Sequence, residues 1–496
     1  MLDYSLRGSL LLIAIYATIC IVWAEFAYWV PPTIIEATYI PATIPNLPIE
    51  YHFDGWSVIA AAVPLAVILH LIIVLLIRAI DRKKSGILLE STGSDSLVNG
   101  VMAVFSAAFL GLTVLSGVQG DYGAYLREWI GVLEGRDPWN YVDTISPNAY
   151  GPLFNVLAPI AWVNLLANKL LFAFFYLVYI IWLIKDIAPR GGFVALSWLW
   201  MGLWLFNPLP WWQIAYLGHF DILVGLTCVA AVHCRVRNKD WLSGTWLAVG
   251  ILLKFMPVVI LPFLAFNGRR VHFRLIISCI GVVVSGLVVS VLVWGTSTFK
   301  PLKFAAAREA IESIYVFLDP AHAPLGLFGG ARWLNSQRLA EPILLLAGLG
   351  VYAWSVLRRI DPALSAALAV LVTLLFYWVG WTQYQMVFFV LILYWVASEW
   401  ERSNRSPVLI TLLGGYFSFL VVSDLVGSIV GYDIFSRTNM VMILIRFLAG
   451  CALVIALSAV SSSERILRPW HKRLSDEGRV EPAGLPSNDV PSDVSV

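Results

Sequence analysis

Apolar runs about 20 residues long recur along most of the chain, and clusters of Lys and Arg separate them. A run of this length is what an α-helix needs to cross the hydrocarbon core of a bilayer. Leu10–Trp29, Trp56–Leu76 and Val98–Val118 are the first three. Charged residues make up only 13% of the 496 residues, too few to cover a water-facing surface. The sequence therefore predicts an all-α fold, a polytopic transmembrane helical bundle of about 11 to 13 spans.

The basic clusters give the bundle a direction, because Lys and Arg are retained on the cytoplasmic side of a membrane. The clusters that set the orientation are Arg78, Arg82, Lys83 and Lys84, then Arg235, Arg237 and Lys239, and then Arg269, Arg270 and Arg274. This pattern predicts a cytoplasmic N-terminus and two long segments outside, 119–151 and 296–338. The first apolar run is expected to be retained as a span, since no small-residue cleavage site follows it.

The predicted organisation has five parts. They are an N-terminal transmembrane hairpin with its cytoplasmic loop (1–97), a transmembrane core (98–295, with outer loop 119–151), a second outer loop (296–338), C-terminal spans (339–463) and a disordered cytoplasmic tail (464–496). Within the core, the length of Leu153–Ile184 predicts a pair of short or broken helices around Lys169. A turn is predicted at Asn207–Pro210, and a short hairpin at Trp241–Met256 and Pro257–Phe266.

The first outer loop contains a helical pattern. Its apolar residues recur at helical spacing and form one stripe: Tyr122, Tyr125, Leu126, Trp129, Ile130 and Leu133. Such an amphipathic helix is expected to lie flat in the membrane interface. Asp121 stands at its start, where a carboxylate can reach both a lipid-borne substrate and water. It could act as a general base on a hydroxyl, or it could simply cap the helix.

Other charged residues beside the apolar runs are candidates because an ionisable group there is costly. His219 and Asp221 lie at the outer end of one run and could be functional or could cap a helix. Lys254, in GILLKFMPVVILPFL, has no acid within ten residues on either side, so we expect a buried anion as its partner, either a distant carboxylate such as Asp221 or a lipid phosphate. Arg136 offers a fork suited to phosphate, or a surface salt bridge with Asp137 or Glu134.

The second outer loop is basic, which fits a phosphate-bearing headgroup, although a solvated amphipathic helix explains any single member as well. Lys303 and Arg308 are its candidate phosphate contacts. The net charge of +2 gives no electrostatic case for nucleic acid. The five cysteines show no metal-ligand spacing, so no metal site is expected from them.

Several short motifs together resemble one enzyme class. They are DYGAYLREW with EGRDPW, then YGPLF (Tyr150–Phe154), WLFNPLP, GHFD, LLKFMP and TQY (Thr382–Tyr384), in this order. Their order is similar to that in GT-C class integral-membrane glycosyltransferases, in particular the catalytic subunit of the first GPI-anchor mannosyltransferase and its prokaryotic polyprenol-phosphate-mannose-dependent relatives. The likeness covers about Gly120–Phe266 and weakens towards Tyr394.

The resemblance implies a polyprenyl-phosphate sugar donor, most simply mannose, and a glycolipid or glycan acceptor. Asp121 would be the catalytic base, with the phosphate bound by Lys254, Arg136, Arg308 and Lys303, and the sugar or acceptor by Tyr122, His219, Asp221, Tyr150, Gln383 and Tyr384. It also implies the bacterial inner (plasma) membrane, with the chemistry on the periplasmic face. The GPI family has Asp-x-Asp where this chain has Gln119-Gly120-Asp121, so no cofactor is expected, and the need for a divalent metal is in question.

Two other classes of protein stay open at this point. A secondary transporter of a small solute would show internal repeats and a site at the membrane midplane. The sequence shows no such repeat, and two long polar outer loops are not typical of that class. A non-catalytic membrane subunit would tolerate replacement of Asp121.

Overall fold

The computed structural model describes residues 92–139, 149–183, 187, 207–266, 270–307, 311–318, 336–398, 407–430 and 437–462. In these ranges the fold is helical, and its only β pairing is two isolated bridges, Phe266 with Val271 and Ile311 with Val379. The predicted all-α class is therefore confirmed for the described residues. The predicted N-terminal hairpin and the C-terminal tail lie outside them.

The α-helices of the described residues follow one another in chain order as α1 Thr92–Leu115, α2 Gly120–Leu133, α3 Pro152–Asn155, α4 Ala158–Val163, α5 Ala167–Trp182, α6 Pro208–Pro210, α7 Asp221–Val236, α8 Asp240–Leu253, α9 Leu261–Ala265, α10 Phe273–Trp294, α11 Lys300–Ala307, α12 Ser336–Arg358, α13 Pro362–Phe376, α14 Gln385–Ser398, α15 Pro407–Val430 and α16 Arg437–Ser462. A π-helix, Trp211–Tyr216, continues from α6. Short 3₁₀ segments are Met256–Ile260, Gly295–Phe299, Ile314–Leu318 and Thr382–Tyr384.

Three helical stretches in the described ranges are long and apolar enough to cross a membrane: Phe273–Lys303, Ala340–Arg358 and Asn439–Val460. Two bent pairs of helices would raise this number to five if each pair is one span. The apolar side chains of α10 point outwards, with Leu292 80% exposed and Val289 59% exposed. An exposed apolar helix of this length fits contact with lipid. The predicted count of about 11 to 13 spans stays a prediction.

Helix α14 forms the centre of the bundle. It is apolar on every side, and Met386–Ala397 are no more than 4% exposed. A helix that is apolar on every side can lie in a protein core or face lipid, and the burial of α14 shows that it lies in the core. Helices α7 and α13 pack against it, α8 packs on α7, and α10 packs on α8. This core holds the ends of α7 and α8, where the candidate residues lie.

The predicted broken helix at Leu153–Ile184 is confirmed over the described part of that range. Pro152–Val163 and Ala167–Trp182 meet at an angle of 113°. Lys169 lies just beyond the bend and is fully buried. Its ammonium group donates to Ser116 Oγ at 2.6 Å, to the Gly117 carbonyl at 2.8 Å and to the Tyr216 carbonyl at 2.6 Å. Three oxygen acceptors satisfy its three N–H donors, so Lys169 ties together the ends of separate helices.

A second bend positions the GHFD motif. Pro208–Tyr216 and Asp221–Val236 meet at 120°. The turn predicted at Asn207–Pro210 is wrong, because Asn207 caps the first turn of a helix by accepting from the Leu209 N–H at 3.0 Å. The bend itself comes later, at Gly218, whose φ is +75°. A Cβ there would lie 3.0 Å from the side chains of Lys169 and Tyr122, so both the backbone and the packing call for glycine.

Lys254 lies at a break between two helices. Helix α8 ends at Leu253, Lys254 is extended at φ −157° and ψ 127°, and the next helical segment begins at Met256. The break leaves the Leu253 carbonyl without a helical partner, and the Gly151 N–H donates to it at 3.0 Å. Only a residue without a side chain comes this close, since a Cβ on Gly151 would lie 2.1 Å from the Leu252 carbonyl oxygen.

We expect Gly151→Ala to lower the free energy of unfolding by about 1–3 kcal/mol, because the new methyl group has to displace the backbone of α8. The measurement is the thermal melting temperature of the purified protein in detergent. Gly348→Ala is the matched control, since a Cβ at Gly348 meets nothing within 4 Å. Equal melting temperatures for the two variants would contradict the close approach of Gly151 to α8.

Candidate active site

Asp121 lies in the first turn of α2, and its side chain is 38% exposed. The residue at the N-cap position is Gln119, so the alternative that Asp121 caps this helix is wrong. The positive end of the helix dipole stabilises a carboxylate at this position without using its oxygens as caps. The Asp121 carboxyl group is therefore held at a fixed place and remains accessible.

Two side chains from distant parts of the chain contact the Asp121 carboxylate. His219 Nε2 lies 3.4 Å from Asp121 Oδ2, and the Gln383 side-chain amide donates to the same oxygen at 3.2 Å. His219 follows the π-helix and is only 4% exposed. Gln383 belongs to the 3₁₀ turn that leads into α14. The structure thus brings together three of the residues that the sequence indicated.

Lys254 and Asp221 form a buried ion pair with an N–O distance of 2.5 Å. The Asp221 side chain is fully buried and that of Lys254 is 9% exposed. Asp221 is the first residue of α7 and follows the N-cap residue Phe220, so it does not cap the helix. Its side chain is also not in contact with solvent. Of the two anions expected for Lys254, the structure has the carboxylate.

Aromatic rings surround the Lys254 ammonium group. Its nitrogen lies 3.7 Å from the ring centroid of Tyr384, 5.5 Å from that of Phe220 and 5.8 Å from that of Tyr150. The Tyr384 ring is in cation–π range and close to the charge. Tyr384 follows Gln383 directly, so one turn supplies contacts to both Asp121 and Lys254. The two charged groups therefore belong to one site.

Tyr150 precedes the glycine that docks on α8, and it packs between Phe154, at 4.6 Å between ring centroids, and Phe220, at 4.9 Å. Burial, with the nearby carboxylates of Asp121 and Glu128, raises the pKa of the Tyr150 phenol well above its usual value. The phenol therefore stays protonated at any physiological pH and can act as a hydrogen-bond donor.

Three of the predicted residues that the structure describes do not join this cluster. The Tyr122 ring is fully buried, and its hydroxyl donates to the Leu165 carbonyl at 2.6 Å, away from any open surface. Arg136 pairs with Glu134 on the surface, where both side chains are 56% exposed. Lys303 is exposed on α11, and Arg308 lies outside the described residues.

The apolar stripe of the first outer loop packs into the protein. Tyr122, Tyr125, Leu126 and Trp129 are each no more than 1% exposed, while Leu133 at the helix end is 41% exposed. The predicted helix is present at Gly120–Leu133. Its place relative to a bilayer stays a prediction, but its apolar face is covered by protein. The stripe therefore fixes Asp121 against the core.

A chain of polar contacts behind His219 was not predicted. Its Nδ1 contacts Gln213 Oε1 at 2.6 Å, and the Gln213 amide nitrogen donates to Asp424 Oδ2 at 2.9 Å. Thr382 donates to the other oxygen of Asp424. Arg446 Nη1 lies 3.4 Å from the Thr382 hydroxyl. The signal was available, because Asp424 and Arg446 are charged residues inside apolar runs.

Part of the second outer loop reaches the same region. Arg446 Nη1 also lies 3.4 Å from Glu312 Oε2. The backbone of Ile311 exchanges hydrogen bonds of 2.9 Å with Trp378 and Gly380. Because Gly380 lies two residues before the turn that carries Gln383, this segment helps to hold the turn in place. Among the described residues no group of three or more His, Cys, Asp or Glu is arranged to hold a metal ion, and the expectation of a metal-free site stays a prediction.

The family comparison matches residues 148–381 to glycosyltransferase family 87, which is slightly under half of the chain. The matched segment contains Tyr150, His219, Asp221 and Lys254, while Asp121 precedes it and Gln383 follows it. No curated protein and no solved structure matches the chain. The match indicates glycosyltransferase activity, and together with the apolar helices it supports an integral membrane glycosyltransferase.

We expect Lys254→Met and Asp221→Asn each to lower the free energy of unfolding by about 3–5 kcal/mol. Each substitution leaves the other member of the pair buried without its counter-charge. The double variant Lys254→Met with Asp221→Leu removes both charges and should recover much of that loss. Glu134→Gln is the control, since it breaks an exposed pair worth less than about 1 kcal/mol. Denaturation of the purified protein measures all four, and equal losses in the single and double variants would contradict the pairing.

Proposed function

We propose that this chain is an inverting, GT-C type glycosyltransferase that moves a sugar, mannose in the simplest case, from a polyprenyl-phosphate carrier to a glycolipid or glycan acceptor. The observation that carries the proposal is the accessible Asp121 carboxylate, which accepts from Gln383 and faces His219, in the same site as the buried cation of Lys254. This arrangement joins a base to a positive charge inside a membrane protein. The match to a glycosyltransferase family supports the reaction class.

The proposed reaction is a single displacement. Asp121 takes the proton from an acceptor hydroxyl as that oxygen bonds to the anomeric carbon of the donor sugar. The bond from that carbon to the phosphate oxygen breaks, and its electron pair leaves with the polyprenyl phosphate. One displacement inverts the anomeric configuration. Phosphate is already a good leaving group, so the reaction needs no second carboxyl group acting as an acid.

Exposure decides which carboxylate is the base. Asp121 is 38% exposed, whereas Asp221 is fully buried and already bound to Lys254. A base has to come within hydrogen-bond distance of the acceptor hydroxyl, and Asp221 has no open surface for that contact. Asp221 instead holds the Lys254 ammonium group in place.

Lys254 is the proposed phosphate contact with the strongest support from the geometry. A fixed cation in a site that excludes water stabilises the negative charge that develops on the leaving phosphate. Arg136 and Lys303 are proposed as additional phosphate contacts, because exposed side chains can turn towards a headgroup, and Arg308 is proposed with them. Tyr150, His219, Gln383 and Tyr384 are the proposed contacts to sugar or acceptor, while Tyr122 is fully buried and supports the helix.

The proposed setting is the inner membrane of a bacterium, with the site on the periplasmic side. Two observations support this setting. The described ranges include three helices apolar enough to cross a bilayer, where the proposed carrier would deliver its sugar. The basic clusters of the sequence put the loop of Asp121 on the outer side.

We expect Asp121→Asn to lower the rate of sugar transfer by about 10²- to 10⁴-fold, because it removes the base and keeps the shape of the side chain. The assay uses purified protein in vesicles with radiolabelled polyprenyl-phosphate mannose and a lipid extract of the source membrane. Asp137→Asn, the same change at an aspartate whose carboxylate caps the Trp139 N–H, is the control and should keep its activity. Full activity of Asp121→Asn would overturn the assignment of the base.

The same assay tests the other parts of the proposal. Transfer from a nucleotide sugar but not from the polyprenyl carrier would overturn the donor class. Uptake of a small solute into the vesicles without any transfer would favour a transporter. The double variant Lys254→Met with Asp221→Leu should remain folded and lose transfer. An active double variant would show that the buried pair serves only the fold.

A further inference from the structure

The polar contacts behind His219 have a defined direction. Asp424 Oδ2 accepts from Trp212 Nε1 at 3.2 Å and from the Gln213 amide at 2.9 Å, and Oδ1 accepts from the Thr382 hydroxyl. An indole N–H can only donate, so Oδ2 acts as an acceptor here, and the end of the Gln213 amide that faces the same oxygen is its NH₂ group. Asp424 therefore fixes which end of the Gln213 amide faces it.

The orientation of Gln213 in turn fixes the ring of His219. The amide nitrogen of Gln213 faces Asp424, so its oxygen is the atom that lies 2.6 Å from His219 Nδ1. An amide oxygen only accepts hydrogen bonds, so Nδ1 has to carry a proton. A neutral His219 ring then presents the bare Nε2 nitrogen to Asp121 Oδ2, 3.4 Å away.

This tautomer makes Asp121 a better base. A lone pair on Nε2 and a carboxylate oxygen repel each other, and a proton placed between them relieves the repulsion. The opposite tautomer would donate from Nε2 to Asp121, stabilise the carboxylate and weaken it as a base. The charged state of His219 would weaken Asp121 in the same way. The difference between the two tautomers depends on Gln213, which lies outside direct reach of Asp121.

We propose that Gln213 and Asp424 are positioning residues, which hold His219 in its Nδ1-protonated form so that Asp121 can take a proton from the acceptor hydroxyl. This inference rests on the proposed function. The π-helix Trp211–Tyr216 carries both Trp212 and Gln213 to the same carboxylate. π-Helical turns are rare and recur at functional sites.

The charged and titratable groups around His219 come from three directions. Asp121 faces Nε2 from α2, and the Tyr125 ring from the same helix lies 6.3 Å from the His219 ring. Asp424 on α15 acts through Gln213. Beyond it, Arg446 on α16 lies between the Thr382 hydroxyl and Glu312.

Gln213→Met tests the proposal with little change of volume or charge. We expect kcat to fall about 10- to 100-fold at an unchanged KM, which is part of what a general base contributes. The ring of His219 is then free to take the other tautomer and donate to Asp121. A weaker base has a lower pKa, so the acidic limb of the pH profile of kcat/KM should move to lower pH. Gln385→Met, the same change at another buried glutamine, should leave kcat and the profile unchanged.

A combined exchange supplies the rescue. Gln213→Glu alone keeps an acceptor towards His219 but sets two carboxyl groups against each other, so it should be impaired. Adding Asp424→Asn restores a donor opposite the introduced carboxylate and keeps the total charge, and adding Trp212→Phe removes the indole N–H that Asp424 Oδ2 also accepts. The triple variant should return much of the lost kcat and the original pH profile. A triple variant no better than Gln213→Glu with Trp212→Phe would overturn the proposal, as would a fully active Gln213→Met.

Nitrogen-15 NMR of the histidine rings gives a readout that does not need a substrate. The full-length protein is labelled at its seven histidines, and the His219 signal is identified by its loss in His219→Asn. The wild-type ring should show protonated Nδ1, and Gln213→Met should lose that preference. An Nε2-only tautomer in the wild type would overturn the proposal. A protein with the expected tautomer but no sugar transfer would instead overturn the proposed function.

Discussion

Burying a charge in an apolar bundle costs free energy, and this constraint shapes the whole site. The ion pair between Lys254 and Asp221 is how the protein meets it. A lone ammonium group in this place would be far too expensive, and its carboxylate partner offsets that cost. The pair also fixes the chain around it. Helix α8 ends where Lys254 begins, and the carbonyl released there binds the Gly151 N–H at 3.0 Å. That bond brings Tyr150 beside Lys254, so one helix break organises the aromatic rings as well as the charge.

Local patterns in the sequence predicted the parts of the fold that depend on local rules. The length of the Leu153–Ile184 run indicated a broken helix, and the helical spacing from Tyr122 to Leu133 indicated α2. The free-energy cost of burying a charge singled out Lys254 and Asp221, and the structure pairs these residues across 33 positions of the chain. The helices could be predicted because hydrophobic periodicity is a property of one segment. The ion pair could be predicted because a buried charge requires a partner of opposite charge.

The remainder of the site depends on geometry that no segment contains. Asp121 and Tyr122 are neighbours, but the rotation of α2 sends one to an open surface and the other into the core. Asp424 carried the same signal as Lys254, a charge inside an apolar run, yet its partners come from the π-helix and the turn before α14. The glycosyltransferase match at 148–381 also stops short of Asp121 on one side and of Asp424 on the other.

The spread of the site along the chain also has a consequence for biosynthesis. Asp121 and Gln383 are separated by 262 positions, and the contacts that orient His219 extend to α15, near the end of the described chain. A membrane protein is made from its N-terminus, so Asp121 is made long before Gln383 and the proposed positioning residue Asp424. An unfinished chain would hold the Asp121 carboxylate without these contacts. Chemical competence would then appear only when the last helices have docked, and it would mark the completion of assembly.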